Sequence, residues 1–231
     1  MENKFVEGQV IIIDKPLTWT SFNVVKKIEI LLRKHFNLKK IKVGHAGTLD
    51  PLATGILIVC TGKMTKQITS FQDAEKEYIA DIEFGKTTPS YDLESEYDAE
   101  YPTSHITKAL IIEKMQQFLG EIDQIPPLFS AKMIDGRRAY KIARSGSDMV
   151  LKANKITISE LEVLEFTHPV AKIRIRCSKG TYIRSFAFDL GKAVNSGAHL
   201  SGLRRTISGN YQIKDAISIE EFQENLLTLQ P

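Results

Sequence analysis

The 231-residue chain predicts an α+β fold, a mixed and largely antiparallel sheet flanked by helices and loops. Three observations predict it. Apolar residues alternate with period two in several segments, and recur at helical spacing in others. The two kinds of segment follow one another without the regularity of βαβ units. No internal repeat, low-complexity stretch or linker divides the sequence, so residues 1–231 are expected to form a single domain.

Residues 9–14 read as a β-branched strand that stops at Lys15-Pro16. Thr20-Ser21 then supplies an N-cap for a helix to about His35, with Val24, Ile28, Leu31 and Leu32 on one face. Residues 41–55 are glycine-rich and proline-punctuated, hence loop, and feed a short strand at 56–60. Residues 76–85 alternate, so Tyr78, Ala80, Ile82 and Phe84 share one face of a strand. Residues 87–103 are polar and acidic and read as a surface loop. Residues 106–119 read as a second amphipathic helix, with Ile111, Met115, Phe118 and Leu119 on its stripe and Gly120 as its stop. After Pro126-Pro127 come a strand at 128–134, a turn at Asp135-Gly136 and a short helix at 137–144. Residues 156–166 and 170–177 pair around His168-Pro169, residues 178–181 turn, and a helix runs to about Val194. A strand at 200–208 and a helix at 218–227 complete the chain.

Composition excludes several classes. No apolar run approaches the ~18 residues of a membrane span, and the N-terminal residues carry no apolar signal-peptide core. Cys60 and Cys177 each sit inside an apolar run, which argues against a disulfide framework and a zinc site and for a cytoplasmic location. The histidines at 35, 45, 105, 168 and 199 lack ligand-like spacing, so no metal is expected. Net charge is only +3, but its distribution is uneven. Residues 130–214 hold 16 lysines and arginines against 6 acidic residues, and the remainder holds 15 against 22. Such asymmetry suits a basic face for nucleic acid, or simply two differently solvated surfaces.

The densest unusual segment is Lys42-Val43-Gly44-His45-Ala46-Gly47-Thr48-Leu49-Asp50-Pro51-Leu52-Ala53-Thr54-Gly55. Its glycines permit close backbone approach and Pro51 stiffens the residue before it, so the loop can hold the Asp50 carboxylate in one pose. It has neither Walker nor GxGxxG spacing and is not a phosphate loop. By spacing alone, Asp50 could equally cap a tight turn.

Residues 44–55 closely resemble the catalytic motif of the bacterial tRNA pseudouridine synthase B (TruB) family. Asp14-Lys15-Pro16 with Thr20-Ser21 resembles that family's N-terminal motif, and Lys76-Glu77-Tyr78 the strand bearing its active-site tyrosine. Pro126-Pro127-Leu128-Phe129-Ser130-Ala131-Lys132, then Gly136, Tyr140, Ala143-Arg144 and Gly146, resembles the next block. Ser178-Lys179-Gly180-Thr181-Tyr182-Ile183-Arg184 and Leu203-Arg204-Arg205-Thr206 resemble its C-terminal motifs. The likeness runs from about residue 9 to about residue 210. It departs at Leu17-Thr18, where the family usually has a glycine. The sequence stops at Pro231, about 25 residues after Thr206, so the resemblance implies a form without the C-terminal PUA domain of many members.

The resemblance implies the pseudouridine synthase fold and an isomerase of tRNA processing that converts the T-loop uridine (position 55) to pseudouridine. Breaking the N1–C1′ bond, turning the uracil and rejoining it through C5 neither adds nor removes atoms, so no cofactor is expected. Asp50 is implied as the catalytic carboxylate, acting as nucleophile at sugar or base, or as base at the 2′ position. Arg184 is implied as its cationic partner. Tyr78 is implied to stack on the flipped uracil, Tyr182 to form a second wall, and Leu203 to close the pocket. His45 is implied as a polar wedge in the RNA loop, and Lys15 belongs with the substrate-binding residues. The chain is expected to act as a monomer on the tRNA T-arm, with no membrane.

Lys172, Arg174 and Arg176 alternate with Ile173, Ile175 and Cys177, which makes one strand face basic, and Arg137, Lys141 and Arg144 have helical spacing. With Lys132, Lys179, Arg204 and Arg205, the residues Arg137, Lys141, Arg144, Arg174 and Arg176 are candidates for the RNA backbone. Two rival readings are a non-catalytic tRNA-binding folding factor on the same fold and a nucleoside or glycoside hydrolase. The hydrolase reading wants two carboxylates, whereas these motifs offer one carboxylate and an arginine. If several of these cations meet phosphate, RNA affinity falls steeply between ~50 and ~200 mM salt. A flat titration over that range contradicts the basic-face assignment.

Overall fold

The computed structural model describes residues 3–129, 133–134, 137–138 and 152–229. The chain divides into two compact units, one running through Tyr78 and resuming at Arg204, the other spanning Ile79–Leu203.

The first unit opens with α1 (Lys4–Glu7) and β1 (Val10–Lys15), followed by α2 (Ser21–His35). Thr20 caps α2 as expected, and Asn23 returns the bond to the Thr20 amide, which closes a capping box. Val24, Ile28 and Leu32 are buried against Ile11, Ile13, Leu57 and Val59, and Leu31 packs on the same cluster. The segment at 41–55 is not all loop. Val43–Ala46 forms β2, and β3 (Ala53–Thr61) starts three residues before the expected strand. β3 pairs antiparallel with β1 and β2, and Asp14 faces Ile56 while Lys15 faces Gly55. Glycine content hid β2: Gly44 lies within the strand opposite Cys60 and marks no turn. A 3-10 turn (Gly62–Gln67) and α3 (Ile68–Asp73) lead to β4 (Lys76–Phe84), and α6 (Ile219–Leu227) buries Phe222 and Leu226.

In the second unit the strand order is β12-β4-β11-β10-β7, and β12 (Ala198–Ser208) and β4 both continue into the first unit. β4 buries Tyr78, Ala80, Ile82 and Phe84 on one face, the alternation read from the sequence. β10 (Asn154–Thr167) and β11 (Val170–Cys177) pair antiparallel, and β10 also pairs with β7 (Gly120–Gln124). Helix α5 (Ile183–Ala193) buries Ile183, Phe186, Ala187 and Leu190, and Phe118 meets Phe186 edge-on.

Three expectations are corrected here. The helix expected at 106–119 is α4 (Lys108–Met115), after which Gln116–Phe118 tightens into a 3-10 turn, and Leu119 is exposed. Residues 87–103 are a surface loop only in part: residues 93, 94, 96–98 and 100–102 are exposed, but most of the start of the segment is not. Lys86–Thr87 (β5) pairs with Ala99–Glu100 (β6), and Thr87, Thr88, Ser90 and Asp92 are buried. Burial is possible because neighbours satisfy their polar groups: the Thr88 and Ser90 hydroxyls both donate to the Asp92 carbonyl. Finally, Met133–Ile134 (β8) and Arg137–Arg138 (β9) pair antiparallel, so the helix expected at 137–144 begins instead as a strand. Its remainder lies outside the described residues, and Leu128 and Phe129 are not in a strand.

Gly55 has φ +101°, and a Cβ there would lie 2.2 Å from the Arg205 carbonyl oxygen. Gly180 has φ +78° with nothing within 4 Å of an added Cβ. Gly55→Ala is therefore expected to cost well over ~1 kcal/mol in urea unfolding, and Gly180→Ala only the backbone strain of ~1–2 kcal/mol. Equal losses would contradict the close β3–β12 approach.

Candidate active site

The Asp50 turn is fastened along its main chain. Arg205 donates from Nη2 to the Gly47 carbonyl at 3.1 Å and from Nε to the Ile56 carbonyl at 2.8 Å. The buried Ser21 hydroxyl donates to the Leu49 carbonyl at 3.1 Å and accepts from the Leu49 amide at 2.9 Å. The Asp50 carbonyl accepts from Ala53, and the Pro51 carbonyl accepts from the Thr18 amide, at 3.1 and 2.9 Å. Lys15 Nζ donates to the carbonyls of Pro16, Trp19 and Pro51. Residues on both sides of Asp50 are thus held, while Asp50 itself is half-buried.

Strand alternation explains how two adjacent pairs of residues do different work. On β1, Asp14 points to the face where Arg204 meets it, with Nη1–Oδ1 at 3.1 Å and Nη2–Oδ2 at 2.6 Å; Lys15 points inward. On β12, Arg204 forms that two-pronged pair and also donates to Thr54, while Arg205 points inward. Lys15 is 0% exposed and Arg205 1%. These placements correct two expectations. An ammonium with its three donors spent on carbonyls does not reach substrate, and a buried guanidinium does not reach phosphate. Both are positioning residues. Arg204, expected on the RNA backbone, is engaged with Asp14.

Thr18 has φ +68°. At the position where the resembled family usually has glycine, threonine therefore takes the left-handed conformation itself, and the bond from its amide to Pro51 depends on that turn. His45 lies on β2 facing Val59. Burial, and secondarily the Arg205 charge, lower its pKa, so the ring is neutral at pH 7. Its Nδ1 is buried and has no hydrogen-bond partner among the described residues. Tyr78 is buried near the start of β4.

In the second unit, Tyr182 is the N-cap residue of α5 and Arg184 sits in its first turn, 4% exposed. Arg184 Nη1 donates to the Phe129 carbonyl at 3.0 Å and to the Ser90 carbonyl at 3.3 Å, and its Nε lies 3.5 Å from Asp92 Oδ2. The Gln124 side chain grips the Tyr182 main chain in both directions, accepting from its amide at 2.8 Å and donating to its carbonyl at 3.0 Å. Leu203 is half-buried on β12. Asp92 and Gln124 have no place in the expectations from sequence. A Thr88-x-Ser90-x-Asp92 spacing that lets two hydroxyls fold back on one carbonyl was the signal available for Asp92.

The basic face of β11 is not bare. Register sets Glu160 opposite Arg176, Glu162 opposite Arg174 and Glu165 opposite Lys172. Arg174 lies 2.6 Å from Glu162, Arg176 3.2 Å from Glu160, and Lys172 3.9 Å from Asp81. Lys179 is exposed in the turn before α5. Lys132, Lys141 and Arg144 lie outside the described residues, and Arg137 is described only as part of β9.

Burial lowers the Lys15 pKa from 10.5 to about 8, against an opposing pull from the Asp50 carboxylate and with a further push from Arg205. Between pH 8 and 10.5 the folded chain has given up this proton and the unfolded chain has not. Unfolding then takes up a proton, so this group makes stability rise with pH across that window and contributes no slope below it. Urea unfolding from pH 7.5 to 10.5 is expected to show a slope in wild type more positive by about one proton than in Lys15→Met. Identical slopes would contradict a buried, charged Lys15 at neutral pH.

Comparison with known proteins identifies the family. Residues 33–183 match the TruB family pseudouridylate synthase N-terminal domain, and residues 184–230 the tRNA pseudouridylate synthase B C-terminal domain. The chain is 58% identical over 220 residues to tRNA pseudouridine synthase B of Phocaeicola vulgatus, covering 95% of this chain and 94% of that one. It is 54% identical over 224 residues to the protein of the same name from Flavobacterium johnsoniae, covering 96% and 98%. Among solved structures it is similar to a chain of a Cbf5-Nop10-Gar1 complex, with TM-score 0.72 and 31% identity, covering 95% of this chain and 54% of that one. A chain of an H/ACA RNP bound to a substrate RNA containing 2'-deoxyuridine aligns with TM-score 0.68 and 29% identity, again over 54% of its length. The chain belongs to the TruB family of pseudouridylate synthases.

Proposed function

We propose that this chain isomerises a uridine of tRNA to pseudouridine, with the T-loop uridine as its target and Asp50 as its catalytic carboxylate. The observation that carries the reading is the fastening of residues 47–51 by buried donors, which fixes the backbone around one half-buried carboxylate. The relatives named tRNA pseudouridine synthase B support the substrate class. The reaction needs an ionised carboxylate at the ribose–uracil junction, and a site that already points it there loses little entropy when RNA arrives.

Each remaining residue then has a task. Tyr78 stacks on the uracil once it leaves the helical stack, and Tyr182, its main chain gripped by Gln124, walls the base. Arg184 supplies positive charge to the reacting carboxylate. Leu203 adds apolar closure. His45, half-buried on β2, serves as a wedge in the space left by the base.

The test is tritium release from tRNA carrying [5-³H]uridine, since C5 loses its hydrogen when it bonds to C1′, with the modified position mapped on the RNA. Wild type is expected to release one tritium per T-loop uridine, and Asp50→Asn none at unchanged RNA affinity. RNA binding by wild type without release would favour the non-catalytic folding factor. Free uracil as product would favour hydrolysis.

A further inference from the structure

Tyr91 is the residue between Ser90 and Asp92, the two residues of its loop that meet Arg184. Its φ is +63°, a conformation a bulky side chain rarely adopts. That one reversal is what lets the Ser90 carbonyl and the Asp92 carboxylate face the same guanidinium. The Tyr91 ring stacks on Phe188, with centroids 3.9 Å apart and planes inclined by 12°. Phe188 follows Arg184 by four residues on α5, so both side chains leave one helix face. Lys192, four residues further, places its Nζ 4.2 Å from the centroid of the Phe188 ring. Main-chain bonds complete the arrangement: the Tyr91 amide donates to Thr88 and its carbonyl accepts from Leu200, at 3.1 and 2.9 Å.

We infer that Tyr91 is a positioning residue of the reaction, its stack on Phe188 holding the loop so that Asp92 and the Ser90 carbonyl aim Arg184. Helix α5 grips this loop twice, by a guanidinium on Ser90 and Asp92 and by a ring on the residue between them. Glycine would accept the same backbone conformation without strain. A tyrosine there costs backbone strain, and the stack is the contact that offsets it and fixes the loop. The inference rests on the pseudouridine-forming reading for its effect on rate, but not for its effect on Arg184.

The test compares Tyr91→Gly, Tyr91→Phe and Phe188→Leu. Tyr91→Gly keeps the left-handed turn and removes the ring, so it separates backbone from stack. Single-turnover conversion of tRNA is expected to slow by at least about tenfold in Tyr91→Gly and Phe188→Leu with RNA affinity unchanged. Tyr91→Phe, which keeps the ring, recovers the rate. Hydrogen exchange at Arg184 Nε, followed by NMR in the free protein, is expected to quicken in Tyr91→Gly and return to the wild-type value in Tyr91→Phe. Wild-type rate and wild-type exchange in Tyr91→Gly would overturn the inference. So would a Tyr91→Phe variant as impaired as Tyr91→Gly, which would assign the effect to the hydroxyl. If wild type itself forms no pseudouridine, the functional reading fails, and the exchange measurement alone decides whether the stack holds Arg184.

Discussion

Two buried cations, Lys15 and Arg205, hold the main chain around Asp50, and the rest of the first unit is arranged to make that possible. Burying an ammonium or a guanidinium is costly unless its donors find acceptors. Here the acceptors are carbonyls of Pro16, Trp19, Pro51, Gly47 and Ile56, which a tight turn and a strand end would otherwise leave in need of donors. Each side meets the other's requirement. Gly55, where any side chain would strike the Arg205 backbone, is part of the same constraint.

The second unit uses the same device. Arg184 spends donors on the carbonyls of Phe129 and Ser90, with Asp92 beside its Nε, and Gln124 satisfies both main-chain polar groups of Tyr182. Irregular backbone is thus pinned by long polar side chains rooted in a strand or a helix. This arrangement keeps functional loops rigid where no ladder of backbone hydrogen bonds can run.

Elements with strong periodicity were legible in the sequence. Thr20 and the Val24, Ile28, Leu32 stripe gave α2, and the alternation at 78–84 gave β4, because burial of one face dictates both patterns. Residues 87–92 misread because polarity usually means solvent, whereas the Thr88 and Ser90 hydroxyls find the Asp92 carbonyl inside. β2 was hidden because Gly44 reads as turn punctuation although it sits inside the strand. Of the site, Asp50 stood in a constrained turn but only the family resemblance implied its role, and no pattern distinguished Arg205 from Arg204. Only the phase of β12 decides that one arginine is buried and its neighbour pairs with Asp14. Charge counting included Glu160 and Glu162 but could not place them, and they stand across the strand pair from Arg176 and Arg174.

The most direct test of the central claim is Arg205→Lys, measured as single-turnover tRNA conversion beside RNA affinity. Lysine keeps the charge but lacks the planar fork that reaches Ile56 and Gly47 together. If Arg205 positions the Asp50 turn, the rate falls at least about tenfold while RNA affinity and its salt dependence stay as in wild type. An unchanged rate, or a loss confined to RNA affinity, would contradict the account and return Arg205 to the RNA backbone.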